Sequence, residues 1–163
     1  MDIFQFFAEH NIEYERHDHP PVYTCEDVNR LVPELPGAKT KNLFVRDQKG
    51  KQHFLVSVPD EKSVDLKALA PVLGVNKLSF GSPKRLKKYL DLEPGAVTIL
   101  AALNDTENAV EFVIDQELWK AEALLYHPLV NTSTVLMSRQ NVAQFLEATG
   151  HTPRILNIPA RKQ

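Results

Sequence analysis

The stretch Asn42–Val58 reads N-L-F-V-R-D-Q-K-G-K-Q-H-F-L-V-S-V. Two apolar runs, residues 42–47 and 52–58, flank the polar tetrapeptide Gln48-Lys49-Gly50-Lys51, the signal of a β-hairpin. Downstream, the pattern predicts a helix near 65–73 that ends at Gly74, a residue suited to a helix C-terminus. Val75–Phe80 reads as a short strand. Ser82-Pro83 then supplies a cap and a first-turn proline for a basic helix over 83–90. Pro94-Gly95 is a turn, and strands are expected at 96–102 and 109–114. A short helix near 115–119 leads to a strand near 122–126 and another over 131–137. Ser138 caps a last helix that runs to Gly150. Upstream, Phe4, Phe7 and Ala8 share a stripe, so residues 2–10 read as a helix. His17–Tyr23 suits an edge or a loop because prolines interrupt it. Thr24 and Asp27 form a cap pair for a helix through Leu31. Strand pairs and helices alternate without a βαβ rhythm, and no glycine-rich phosphate loop follows a strand. The expected class is α+β: a mixed, largely antiparallel sheet with helices packed around it.

The chain has 163 residues, enough for one domain with its own core. Residues 1–157 are assigned to that domain and 158–163 to a frayed tail. The apolar run of a membrane span is missing. The start M-D-I-F-Q-F-F-A-E-H lacks the basic region and cleavage site of a signal peptide. The single cysteine, Cys25, excludes an internal disulfide framework. Together these features point to the cytoplasm and away from a membrane. A formal net charge of −2 argues against coating nucleic acid by bulk charge. Two local basic clusters remain: Lys39, Lys41, Arg46, Lys49 and Lys51, and Lys84, Arg85, Lys87 and Lys88. Each reads either as a solvated face or as a phosphate-binding surface.

The common catalytic devices are missing. There is no G-x-S-x-G elbow. Cys25 opens a helix, which can lower a thiol pKa, but a buried inert thiol is the simpler reading. His17 and His19 share a side of an extended chain without the spacing of a zinc site. What remains is polar: Lys41 and Asn42 at the start of a strand, and His127 and Asn131 beside the segment Y-H-P-L-V-N-T-S-T-V-L-M at Tyr126–Met137. In an extended chain, Val130, Thr132 and Thr134 would share one face of that segment and Asn131, Ser133 and Val135 the other. A lysine opening a strand can hold a phosphate or carboxylate as a point charge.

Several pieces of the chain carry a resemblance: H-P-P-V-Y-T at His19–Thr24, T-K-N-L-F-V-R-D at Thr40–Asp47, L-S-F-G-S-P at Leu78–Pro83 and E-P-G-A-V-T at Glu93–Thr98. To these are added L-N-D at Leu103–Asp105, H-P-L-V-N-T-S-T at His127–Thr134 and F-L-E-A-T-G-H at Phe145–His151. In this order they resemble the YbaK/ProX family, free-standing aminoacyl-tRNA deacylases related to the editing insertion of bacterial prolyl-tRNA synthetase. The pattern is most similar to the ProX branch, which acts on alanyl-tRNA(Pro). The resemblance implies a barrel-like editing-domain sheet and a cleft for the acceptor end of a mischarged tRNA. It also implies ester hydrolysis without cofactor, metal or covalent intermediate, and prolyl-tRNA synthetase as a possible partner. Lys41 matches the lysine needed for activity, Asn42 its neighbour and His127 the substrate-pocket histidine. Asn131 and Thr132 fall in the same signature as supporting residues. Gly95, Ala96, Val97 and Thr98 match a G-x-x-x-P loop that borders the reacting ester, with Ile99 in place of the proline. The expected apolar walls are Phe44, Val45, Val97, Ile99 and Leu129. The alternatives are a seryl, threonyl or cysteinyl substrate, and a non-catalytic module that binds tRNA or a synthetase.

Overall fold

The computed structural model describes residues 2–32 and 34–162, apart from the side chain of Cys25. In chain order the elements are α1 (Ile3–Glu9), β1 (Glu15–Asp18), α2 (Cys25–Leu31), β2 (Ala38–Asp47), β3 (His53–Pro59), α3 (Leu66–Val72), β4 (Leu78–Phe80), α4 (Pro83–Leu90), β5 (Val110–Asp115), α5 (Gln116–Trp119), β6 (Ala123–Tyr126), β7 (Ser133–Ser138), α6 (Arg139–Ala148) and β8 (Arg154–Leu156). Two 3₁₀ turns, Pro94–Ala96 and Ile99–Leu103, lie between α4 and β5. Local chemistry starts the helices. Thr24, Asp65, Ser82 and Ser138 each accept a backbone N–H of the first turn of α2, α3, α4 and α6, which satisfies an otherwise orphaned donor. No helix among the described residues is long and apolar enough to cross a membrane.

The strands form one sheet in the order β1-β7-β6-β2-β3-β5-β8, with β4 paired to β2 off this path. The expected hairpin is β2–β3, antiparallel from Thr40↔Pro59 to Arg46↔His53. Both faces of its centre are covered. Phe44, Leu55 and Phe112 join one core with α1, α6 and the second 3₁₀ turn. Val45, Phe54, Val56 and Val113 join the other, beneath α3. This double coverage explains why residues 53–58 read as an unbroken apolar run.

The site depends on the edges of β2. One edge is taken by β3. The other pairs with β6 only at Ala38 and Lys39, in parallel, and with β4 only at Val45–Asp47. Between these contacts lies a window with no strand partner. Lys39 C=O accepts from Asp60 N–H on the β3 side, while Phe44 C=O accepts from Gly81 N–H on the β4 side. Because strand residues alternate, the N–H and C=O of Asn42 face the window.

Several expectations are corrected. The sheet is open, ending at β1 and β8, rather than barrel-like. Residues 96–102 are not a strand: Thr98 caps the 3₁₀ turn Ile99–Leu103, and Ile99, Leu100, Ala101 and Ala102 are all buried. A short apolar run buried all round has no period to tell strand from helix. The strand expected over 75–80 is only Leu78–Phe80. β7 begins at Ser133, since Asn131 and Thr132 turn back to give their carbonyls to Val22 and His19 N–H. Lys41 and Asn42 lie inside β2, which starts at Ala38. The expected tail is anchored instead. Ile158 is buried, Ala160 bridges Val64, and Lys62 donates to Ile158 C=O.

Candidate active site

The window in β2 opens into a cleft bordered by Val22, Tyr23, Lys41, Asn42, Gly95, Val97 and His127. Its volume is about 150 Å³, below that of sites for drug-sized ligands and suited to a small group. A narrower inner space continues it through Thr40, Asn42 and His127 to Asp60, Leu125 and Tyr126. The structure therefore brings together Lys41 and Asn42 from β2, Gly95 and Val97 from the first 3₁₀ turn, and His127 from the end of β6. Among the described residues no acceptor or carboxylate takes the Lys41 ammonium group. The Asn42 side-chain amide oxygen is buried and has no hydrogen-bond partner, a costly state that an acceptor of this kind leaves only for a ligand or water.

His127 has a defined tautomer. Its Nδ1 lies 3.1 Å from Ser133 C=O, and a carbonyl can only accept, so Nδ1 carries the hydrogen and Nε2 keeps the lone pair. Burial pushes its pKa below the ordinary value of 6.5; the bond to Ser133 opposes this and nearby His19 adds to it. The neutral ring is thus favoured at pH 7. Behind it, Ser133 donates its hydroxyl to Asp18, and that bond, with Arg16, lowers the Asp18 pKa. His19 Nδ1–H donates to Pro20 C=O at 2.9 Å, and its Nε2 accepts from the Thr134 hydroxyl at 2.8 Å. Asp18, His19, Ser133 and Thr134 form a bracket where β1 meets β7; from sequence, His19 was weighed only against a zinc site, Ser133 and Thr134 were named only as faces of a strand, and Asp18 was passed over. Their alternation across paired strands was the only available sign. Asp60 was missed as well, because one carboxylate among many carries no signature.

Other expected site residues take different roles. Asn131 does not line the cleft. It donates to Val22 C=O at 2.9 Å, and its Nδ2 would sit 3.2 Å from a Cβ added at Gly95. It braces three loops behind the wall. Thr132 is exposed and outside the cleft lining. Ala96 N–H is spent on Glu93 C=O, so it is no donor for a substrate. Thr98 is wholly buried and caps the following turn. Of the expected walls, Val97 lines the cleft and Phe44 an adjoining groove. Val45 and Ile99 are wholly buried in the two cores, and Leu129, with a positive φ of 69°, packs on the first core. The Cys25 thiol lies outside the described atoms.

The fold and cleft define a single-sheet α+β protein in which a lysine, an unpaired amide oxygen and a neutral histidine meet at one cleft. Comparison with known proteins gives this class a family. The aminoacyl-tRNA editing domain family matches residues 19–145, and the chain belongs to it. The prolyl-tRNA editing protein ProX of Acetoanaerobium sticklandii is 39% identical, with 92% of each chain covered. The prolyl-tRNA synthetase associated domain-containing protein 1 of Danio rerio is 35% identical over 96% of this chain and 86% of its own. A crystal structure described as a "putative trans-editing enzyme for prolyl tRNA synthetase" has a TM-score of 0.71 at 13% identity, covering 98% of this chain and 96% of that one. At that identity the likeness concerns the fold.

Proposed function

We propose that this chain is a trans-editing deacylase that hydrolyses the ester of mischarged tRNA, alanyl-tRNA(Pro) foremost. The observation that carries the reading is the convergence of Lys41, Asn42, Gly95 and neutral His127 on one cleft at an open strand edge. His127 Nε2 takes a proton from a water as the water oxygen attacks the ester carbonyl. The Asn42 backbone N–H in the window, with Gly95 at the facing wall, is placed to steady the oxyanion. When the bond from carbonyl carbon to ribose oxygen breaks, His127 returns the proton to that oxygen, leaving alanine and free tRNA. Lys41 holds a phosphate near the terminal ribose. Asp60 and the Asn42 amide oxygen are acceptors for the substrate's α-ammonium group.

Alanyl selection fits the side chains. A synthetase pocket built for proline separates the smaller alanine by only about 1–3 kcal/mol, so a second, tight pocket is needed. The threonine hydroxyls along the cleft are already engaged. Thr24 accepts from Asp27 N–H, Thr40 donates to Leu125 C=O at 2.6 Å, and Thr134 is bonded to His19. Each keeps a spare donor or lone pair, so the preference for the alanyl ester rests on the tightness of the pocket. The names of the relatives support a further part of the proposal, association with prolyl-tRNA synthetase, and work in the cytoplasm belongs to the same proposal.

The test is a panel of alanyl-, seryl-, threonyl-, cysteinyl- and prolyl-tRNA under single turnover. Alanyl-tRNA(Pro) is expected to be hydrolysed fastest. Lys41→Ala and His127→Ala are each expected to lose about 100-fold or more. Faster hydrolysis of another ester would overturn the substrate, and intact rates in both variants would overturn the site.

A further inference from the structure

Beside the cleft runs an apolar groove lined by Leu43, Phe44, Phe80, Gly81, Pro83 and Leu86, and it shares Asn42, Pro94 and Val97 with the cleft wall. Its most unusual member is Phe80, the last residue of β4, which is 60% exposed. A single exposed aromatic residue is ordinary. This one borders a groove that opens onto a candidate catalytic site. Glycine shapes its wall: a Cβ at Gly81 would sit 2.3 Å from Phe44 Cδ2, so only glycine lets the Phe44 ring lie against the backbone there.

We propose that this groove seats the terminal nucleobase of the acylated strand, with Phe80 as its stacking platform. The inference rests on the deacylase reading and deepens it. In an aminoacyl ester of a nucleotide, the ester hangs on the ribose, and the base is the next group on that sugar. A groove that shares three wall residues with the ester site is where that base falls. A flat apolar face suits any base, because every base has a π-surface. Charge supports the same occupant. The helix α4, P-K-R-L-K-K-Y-L, flanks the groove and holds no acidic residue. Arg85 is spent on Gly50 C=O and His53, and Lys87 on Asp91 and Glu93. Lys84 and Lys88 are exposed and, among the described residues, make no ion pair. They can meet the phosphates that follow the terminal base.

The experiment uses unacylated tRNA(Pro) carrying 2-aminopurine as its 3′-terminal base, titrated with the full chain. Stacking on Phe80 should quench the fluorescence. Phe80→Ala should abolish the quench and weaken binding about 5- to 140-fold, which corresponds to about 1–3 kcal/mol per stacked base. Phe80→Trp should restore both. In a second arm, Phe80→Ala should slow hydrolysis of alanyl-tRNA(Pro) and leave alanine ethyl ester, which has no base, unaffected. Because the first arm needs no hydrolysis, it reads the seat even if the deacylase reading fails. The proposal is overturned if quenching survives in Phe80→Ala, if both esters slow equally, or if Phe80 instead governs self-association in sedimentation without any quench.

Discussion

The resemblance leads one to expect a proline where Ile99 stands, and the question is whether Ile99 shapes the substrate pocket. The structure makes it a core residue: it is wholly buried, packed with Leu100, Ala101, Ala102 and the first core, and it does not border the cleft. Ile99→Ala removes three carbons from a fully buried site. At about 0.8 kcal/mol per buried methylene, the transfer loss is about 2.4 kcal/mol. The cavity left behind brings the expected destabilisation to about 2–5 kcal/mol. Ile99→Val should cost about 0.5–1.5 kcal/mol. Ile99→Pro is compatible with the backbone, because Ile99 is the first residue of the turn capped by Thr98, where proline is pre-organised. Urea denaturation reads the stabilities. Single-turnover rates on alanyl-, seryl- and prolyl-tRNA(Pro), taken where each variant is folded, read selectivity. A wall residue trimmed by a methylene or so would change discrimination by about 1–3 kcal/mol. For a core residue the ratio of rates should stay within about threefold. A near-native stability for Ile99→Ala together with tenfold or greater gain on the prolyl ester would refute the reasoning.

Three further outcomes are expected. Because the His127 pKa lies below its ordinary 6.5, its share of the rate should be flat from pH 8 to 6.5 and fall only at lower pH. Its contribution to stability has the same sign: full above 6.5, and lost as pH falls toward the folded pKa. A rate that already drops between pH 8 and 7, after correction for uncatalysed hydrolysis, would contradict a neutral His127. Gly95→Ala would bring a methyl to 3.1 Å from Tyr23 Cδ1 and 3.2 Å from Asn131 Nδ2. Exposed Tyr23 can swing away but Asn131 is tied to Val22, so about 1 kcal/mol of stability and a larger share of kcat/KM should be lost, as melting and kinetics would show. Asp105→Ala should destabilise the fold by about 3–5 kcal/mol in urea without changing substrate selectivity. It strips acceptors from Ala109 N–H and Val110 N–H and leaves buried His151 without its carboxylate.

Legibility in the sequence followed the range of the interactions. The β2–β3 hairpin and the caps at Thr24, Ser82 and Ser138 are local, and each is visible within a few residues. The segment 96–102 was not, because its neighbours bury every side chain and erase the period that would mark its geometry. The same division runs through the site. Lys41, Asn42 and His127 were visible as residue types. That His127 is a neutral ring with its lone pair on Nε2 depends on a carbonyl six residues on, across a turn that includes Leu129 at positive φ.

The window in β2 is still less local. It exists because β6 stops pairing after Lys39 and β4 starts only at Val45. Neither limit is written in K-N-L-F. An unpaired strand edge is ordinarily a hazard that invites another chain. Here the open length lies between β6 and β4 and borders a cleft. In the proposed mechanism, the N–H and C=O of Asn42 that face it serve a small ester rather than a second sheet. On this view residue 42 acts twice, through its side-chain amide and through its backbone. Asn42→Ala should then weaken substrate binding yet retain part of the rate, because the backbone donor survives the substitution. Complete loss of chemistry in that variant, with the fold intact, would place the whole role in the side chain and leave the window without a part in catalysis.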